Sequence, residues 1–364
     1  MSKPQPAIAS SEAMDLLANL VLSPAAADSA TVTRFLSLTA DQFDAVVDLA
    51  HPNHVVIRGM EIYRTLMLAA NEPERAARAG EILAAEQARI AKATEHLRTI
   101  CDAFARANLD VTVMKTLDHW PDFGSDIDLY TNADPQAVCA LMQKEFSATI
   151  AARSWGDRLA GKWNFDIPGL PEAVEIHMGR LGQTGEQKRL AANVPARARV
   201  LRYGPYEFPV PSASDRIMIS TLQRMYRHFY FRLCDIVDSA SLVKSGALDY
   251  DDLERSAKAC GIWEGTATYL VLVSDYVRRY GGSGIALPGS VRQAARFDGS
   301  VMYTGGRFLR VPILPQSVGL YRWQLLGTLR RGEMHSSARL GLLPWLATAA
   351  AIGHKITGSD KGIW

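Results

Sequence analysis

The chain has 364 residues, 48% of them hydrophobic, and a formal net charge of +2. That length and apolar content fill one large core or two to three smaller ones. The near-neutral balance gives no reason to expect nonspecific binding to long nucleic acid.

The four cysteines, at 101, 139, 234 and 260, have neither metal-ligand spacing nor the density of a disulfide scaffold. A reduced, cytoplasmic setting is the expectation. The opening "MSKPQPAIASSEAMDLLANLVLS" is interrupted by Glu12 and Asp15 and does not read as a signal peptide. Residues 1–105 read as an N-terminal helical region. In "TADQFDAVVDLA", Thr39 is the expected N-cap, followed by Phe43, Val46, Val47 and Leu49 at helical spacing. A long helix is expected from Glu74 to Asn108. Ile90, Ala93, Leu97, Ile100 and Phe104 make its buried face, and Asn108 suits its stop.

The period then changes. "LDVTVMK", 109–115, alternates as a strand. "HWPDFG" is turn-rich, and "SDIDLYT" reads as a second strand. "DPQAVCALMQKEF" opens on an Asp-Pro helix entry. "KWNFDI" and "EAVEIHM" flank "PGLP", which predicts a β-hairpin over 162–178. Residues 106–205 are thus expected to form a small mixed core inside a mostly helical α+β protein. A Pro-rich link, "YGPYEFPVPSASD", leads to a helical domain over 206–290. Its first helix is expected to start at Ser214 as cap and to run through "RIMISTLQRMYRHFYFRLCDIVDSASLV". Two more helices stop at Gly261 and at Gly281–Gly282. Residues 291–364 form a tail of unclear structure. Its most apolar stretch, "LGLLPWLATAAAIG" at 340–353, contains Pro344 and is too short to span a bilayer comfortably. No transmembrane segment is expected, and at most a contact with a membrane surface.

The chemistry concentrates in "GSDIDLYT". On a strand, residues i and i+2 share a face, so Asp126 and Asp128 project together while Ile127 and Leu129 point into the core. Two neighbouring carboxylates repel and need compensation. Mg²⁺ (or Mn²⁺) supplies it, held by carboxylates together with substrate phosphates. Glu175, in the alternating "AVEIHMGR", offers a third acid, with Asp166 on the facing strand as its competitor. Three such acids suit a two-metal site, in which Glu175 also accepts the proton of an attacking hydroxyl. An isolated Asp-x-Asp is more often a turn, a cap or a solvated edge. The buried flanks and the acidic strand downstream favour the chemical reading here.

These blocks resemble the DNA polymerase beta-like nucleotidyltransferase superfamily. More narrowly, they are similar to a bacterial family known mainly as uncharacterised nucleotidyltransferases. "FARANLDVTVMKT" fits its helix and lysine-bearing strand, "SDIDLYT" its metal strand and "VEIHMGRL" its third-acid strand. "RMYRHFYFRLCDIVDSASLV" with "LDYDDLERSAKACG" fits its helical domain, and "FDAVVDLAHPNHVVIRGMEIYRTL" its N-terminal helices. The resemblance covers about 40–290 and leaves the tail unmatched. It implies transfer of a nucleoside monophosphate from a nucleoside triphosphate to a hydroxyl of a small molecule or a protein. It places metal on Asp126, Asp128 and Glu175. One departure stands out. The family's glycine after the lysine is Thr116 here, at a turn where backbone approaches phosphate closely. Either the Thr116 hydroxyl serves instead or nucleotide binding is altered. An inactive fold that binds a nucleotide or a partner is therefore the alternative.

Around these acids stand further candidates. Lys115 reaches a triphosphate or is an ordinary surface lysine. Ser125 donates to phosphate or caps a turn. His177 shares a face with Glu175 and orients it, contacts phosphate, or is structural. Arg180 pairs with phosphate or is solvated, and Arg158 and Lys162 carry the same two readings. Arg224, His228, Arg232 and Asp235 fall on one face of the expected helix, facing the cleft or solvent, with Asp238 a structural partner for a nearby base. "RWQLLGTLRRG", 322–332, packs in the core or contacts an acceptor, a partner or a membrane surface.

Overall fold

In the computed structural model, residues 8–23, 29–346, 348 and 349 are described. Part of the 340–353 segment lies outside them. The chain opens with five helices: α1 (Ser10–Leu22), α2 (Ser29–Leu36), α3 (Ala40–Ala50), α4 (Val56–Ala69) and α5 (Pro73–Arg106). Thr39 caps α3 in a reciprocal box with Gln42, which satisfies two free backbone N–H groups. The five expected apolar residues of α5 are all buried. Asn108, just past its end, takes a left-handed φ of 55° and turns the chain toward the sheet.

The central sheet has five strands in the order β1-β2-β5-β4-β3. They are β1 (Thr112–Val113), β2 (Asp126–Thr131), β3 (Thr149–Ile150), β4 (Lys162–Asp166) and β5 (Ala173–Met178). Helices α6 (Pro135–Phe146) and α7 (Trp155–Ala160) lie in its connections. The 162–178 hairpin forms as the antiparallel pair β4–β5. β5 also pairs with β2, and that pair is parallel, with Asp128 directly opposite Glu175. The strand expected over 109–115 keeps only two residues, because the chain turns out of the ladder after Val113.

After α8 (Lys188–Ala196), the expected Pro-rich link is in part a hairpin, β6 (Arg199–Tyr203) with β7 (Tyr206–Val210). Gly204 makes its turn with φ 57°. Helix α9 (Ala213–Thr221) is capped by Ser212, not Ser214. The Ser212 hydroxyl accepts from the Asp215 N–H, while Ser214 is already inside the helix. The long helix expected beyond it breaks. A π-type segment, Leu222–His228, ends at Phe229, whose φ of 54° cannot continue a right-handed helix. β8 (Tyr230–Phe231) follows, then α10 (Leu233–Lys244), α11 (Tyr250–Cys260) and α12 (Trp263–Gly281). The tail gains definite structure: α13 (Gly289–Ala294), β9 (Tyr303–Gly305), β10 (Phe308–Arg310), α14 (Val318–Arg330) and α15 (Met334–Gly341). β10 joins β8 to β9 in a second sheet, which pins the tail to the interrupted helix. Among the described residues no helix is long and apolar enough to cross a membrane.

Candidate functional site

The apolar side chains of β2 and β5 set the site. Ile127, Leu129, Val174 and Ile176 are buried. Strand alternation then turns Asp126, Asp128, Glu175 and His177 to the opposite face. β4 pairs Lys162 with His177 and Asn164 with Glu175, so Lys162 joins that face. Asp126, Asp128, Glu175 and Lys162 form one wall of a solvent-open cleft of about 680 Å³, and His177 lies beside it in the lining of an adjoining pocket. The π-type segment and its exit form the other wall, with Arg224, Arg227, His228, Tyr230 and Arg232.

The carboxylate wall is compensated by lysines. Lys115 pairs with Asp128 and lies 3.7 Å from Glu175. Lys162 pairs with Glu175 and lies 3.7 Å from Asp157. His177 Nε2 stands 2.8 Å from Glu175 Oε1. Burial pushes the Asp128 carboxyl up to about 7, against the pull of Lys115 and with a further push from Glu175. Burial also works on Glu175, but Lys115, the His177 bond and Lys162 outweigh it and hold that carboxyl well below its ordinary value. Asp126 is raised by burial and by Glu175. His177 is lowered, chiefly by burial.

On the facing wall the cations are under-used. Arg224 is almost fully buried, and its Nε lies 2.7 Å from Asp235. Arg224 Nη1, Arg227 Nε and Arg232 Nε are buried without a hydrogen-bond partner among the described residues. Burial, reinforced by Arg227 and Arg224, lowers the His228 imidazole well below its ordinary value. Five lysine and arginine side chains thus line the cleft against three carboxylates. No family model, curated protein or solved structure matches this chain. The chemistry of the cleft is therefore read from its own atoms.

Ligand atoms of Asp128, Glu175 and His177 lie within 4.8 Å of one another. Asp126 lines the same cleft but is outside that group. The three carboxylates are the hard oxygen donors that Mg²⁺ and Mn²⁺ prefer. By donor type they fit such an ion, which would compete with Lys115 and Lys162 for them. Asp166, the rival of Glu175, is exposed and does not line the cleft.

Two expected phosphate contacts fall away. Thr116 is buried, and its hydroxyl donates to the Asp126 carbonyl (3.1 Å) and accepts from the Asp128 N–H (2.7 Å). Its one donor hydrogen is spent on backbone, so it brackets β2 instead. Arg180 lies outside the cleft, its Nη1 donating to the Gly185 carbonyl at 3.4 Å. Arg158 also sits apart, over the Trp155 ring. Ser125 is exposed at the cleft edge, 3.4 Å from Asp126 Oδ2. The stripe of Arg224, His228 and Arg232 reaches the cleft without sharing a helix face, because the helix breaks at Phe229. Asp235 instead caps α10, 2.6 Å from the Arg232 N–H, and holds Arg224. Sequence periodicity missed Arg227 altogether, since the α-helical spacing selects 224 and 228 and passes over it.

Proposed function

We propose that this protein transfers a nucleotidyl group from a nucleoside triphosphate to a hydroxyl acceptor. One observation carries the reading: three carboxylates face arginines with unused donors across a single open cleft. Arg227 and Arg232 suit the oxygens of a triphosphate, because guanidinium donors are strong and directional toward phosphate. Lys115 and Lys162 sit where they can pass from carboxylate to phosphate with little movement. Asp126, Asp128 and Glu175 would hold a divalent cation, which when bound neutralises phosphate charge and the leaving pyrophosphate. The acceptor oxygen bonds to the α-phosphorus as the bond from that phosphorus to the β-phosphate oxygen breaks. The hydroxyl proton passes to a carboxylate of the facing pair Asp128 and Glu175.

A second reading rests on the lysines. Lys115 and Lys162 already neutralise Asp128 and Glu175, which favours a cleft that binds nucleotide without turnover. Incubation with labelled triphosphates and Mg²⁺ or Mn²⁺ separates the two. Active wild type should release pyrophosphate and lose at least about 100-fold of that rate in Asp128→Asn. Equal, metal-independent nucleotide binding by both proteins without turnover would leave only the second reading.

A further inference from the structure

A surface helix ordinarily turns its apolar side chains inward and its polar ones outward. The last two helices largely do the reverse. Besides Leu320, α14 buries Gln324 and Thr328; besides Leu340, α15 buries Ser336 and Ser337. These polar side chains knit the inner seam. The Ser337 hydroxyl donates to the Thr328 hydroxyl at 2.9 Å, and Ser336 donates to the Glu186 carbonyl at 2.9 Å. Gln324 donates to the Glu186 carboxylate at 3.4 Å. Meanwhile Val318, Trp323, Leu326 and Leu329 of α14 are exposed. At about 3.6 residues per turn they share one side of the helix, opposite Gln324 and Thr328. Exposed apolar side chains also flank the pair in sequence: Leu314 is 72% exposed and Trp345 is 76% exposed. Single exposed apolar residues are ordinary, but a whole helix side of them marks a docking surface.

Charge says what docks there. The chain as a whole balances 40 basic residues against 38 acidic ones, whereas residues 312–346 hold four arginines and one acid, Glu333. Glu333 is taken by Arg331 at 3.1 Å. Arg339 is spent on the Thr184 and Leu159 carbonyls. Arg322 and Arg330 are exposed and pair with no acid among the described residues. By helical spacing both fall on the apolar side of α14. A third cation, Arg296, lies over the Trp323 ring at 4.5 Å. Tryptophan and leucine interleaved with uncompensated arginines are the composition of a helix lying in a lipid interface. There the apolar side chains enter the acyl boundary and the long cationic ones reach back to headgroups.

We propose that the outer face of α14 docks this protein on the surface of an anionic lipid membrane, with Trp323, Leu326 and Leu329 at the acyl boundary and Arg322 and Arg330 on headgroup phosphates. With 13 residues, α14 lies along a bilayer and does not cross it. The nucleotidyltransferase reading is not needed for this contact.

Sedimentation of the full chain with lipid vesicles tests it. Binding should be at least about tenfold tighter to vesicles of equal parts phosphatidylcholine and phosphatidylglycerol than to phosphatidylcholine alone, since each arginine near an anionic surface contributes about fivefold. Raised salt should remove most of that difference in wild type, which tests the charge without any variant. Arg322→Gln with Arg330→Gln should weaken binding to the mixed vesicles about tenfold or more. Leu326→Ser with Leu329→Ser should weaken binding to both compositions, again by about tenfold. All four side chains are exposed, so both variants should melt as wild type does. Equal binding to the two compositions, or binding that neither variant weakens, overturns the proposal. Light scattering covers the other occupants. Wild type that binds no vesicle but dimerises through Leu326 and Leu329 assigns the face to a second copy. A monomer that binds no vesicle leaves the face to a protein partner. Either result also overturns the proposal.

Discussion

Lys115 carries the least comfortable backbone in the site. Its φ of 52° and ψ of −51° fall near the classic γ-turn, with the Thr116 N–H donating to the Met114 carbonyl. The strain thus sits at the lysine and not at the residue after it, where the resemblance places glycine. Thr116 pays for its presence by bracing Asp126 and Asp128 through backbone. Replacing it with valine keeps the shape and strands a buried N–H. Thr116→Val should lose about 1–3 kcal/mol of unfolding free energy, and Thr116→Ser should recover most of it. Urea denaturation decides; a valine variant as stable as wild type would remove the bracing role. This role was not legible in the sequence, because residue type shows a hydroxyl but not the atoms within its reach. Asp126, Asp128 and Glu175 were legible, since strand alternation alone assigns their face.

A pH effect belongs to the same scale. His54 and His119 stack with ring centroids 5.1 Å apart but are held in opposite states. Burial first, then His119 and Arg232, keep His54 neutral, with its pKa far below the ordinary value. Burial opposes charge on His119, but Cys234 and Asp238 outweigh it and raise its pKa well above the ordinary value. Below about pH 6.5 the unfolded chain protonates His54 and the fold does not, so His54 costs stability as pH falls. His119 acts in the other sense. Its contribution is full below that pH and is lost as pH rises through its folded value. His54→Asn tolerates the φ of 49° at this position. Its unfolding free energy should fall less steeply than that of wild type below pH 6.5, by up to about 1.4 kcal/mol per pH unit. Parallel slopes in urea titrations at pH 7 and 5.5 would contradict the assignment.

At the scale of elements, the cationic wall depends on how the π-type segment packs. Tyr226, within that segment, is buried against Gly265 of α12, and a methyl group at Gly265 would overlap the phenol ring. Glycine inside a helix costs about 1 kcal/mol relative to alanine, so propensity alone favours Gly265→Ala. Overpacking costs about 1–3 kcal/mol and opposes it. Because the neighbour is a buried ring, the clash should win. Gly265→Ala should melt lower and bind triphosphate more weakly, as Arg224 and Arg227 shift with the segment. A variant with raised melting temperature and unchanged affinity would show that the ring relaxes freely. The segment itself was hidden in the sequence. Apolar spacing runs smoothly across 214–243, and Phe229 has no residue-type signal for a left-handed turn. The tail was opaque for a related reason: β10 finds its partner in β8, far away in the chain, and short strands paired at long range leave no local period.

Across the whole molecule, the regions separated by composition are joined by buried ions. Arg58 of α4 reaches Asp122 at 3.0 Å and Asp238 of α10 at 2.8 Å. It also donates to the His119 carbonyl, and His119 Nδ1 stands 2.6 Å from Asp238. Asn53 adds a second tie, donating to the Arg307 carbonyl at 3.0 Å and accepting from the Leu233 N–H at 3.0 Å. The N-terminal helices, the turn before β2, the helical region and the tail thus meet in one polar layer beneath the cleft. Removing one member strands the others in low dielectric, which costs about 3–5 kcal/mol for a buried pair. The two carboxylates share one guanidinium, so the effects should not add. Arg58→Met should cost most, because it strands both acids. Once Asp238→Asn has removed one of them, adding Arg58→Met should cost about 1–3 kcal/mol less than in wild type. A cycle of the two single variants and the double variant, followed by urea denaturation, measures that coupling. Strict additivity would mean that the two contacts act independently and that the layer does not bind the regions as a unit.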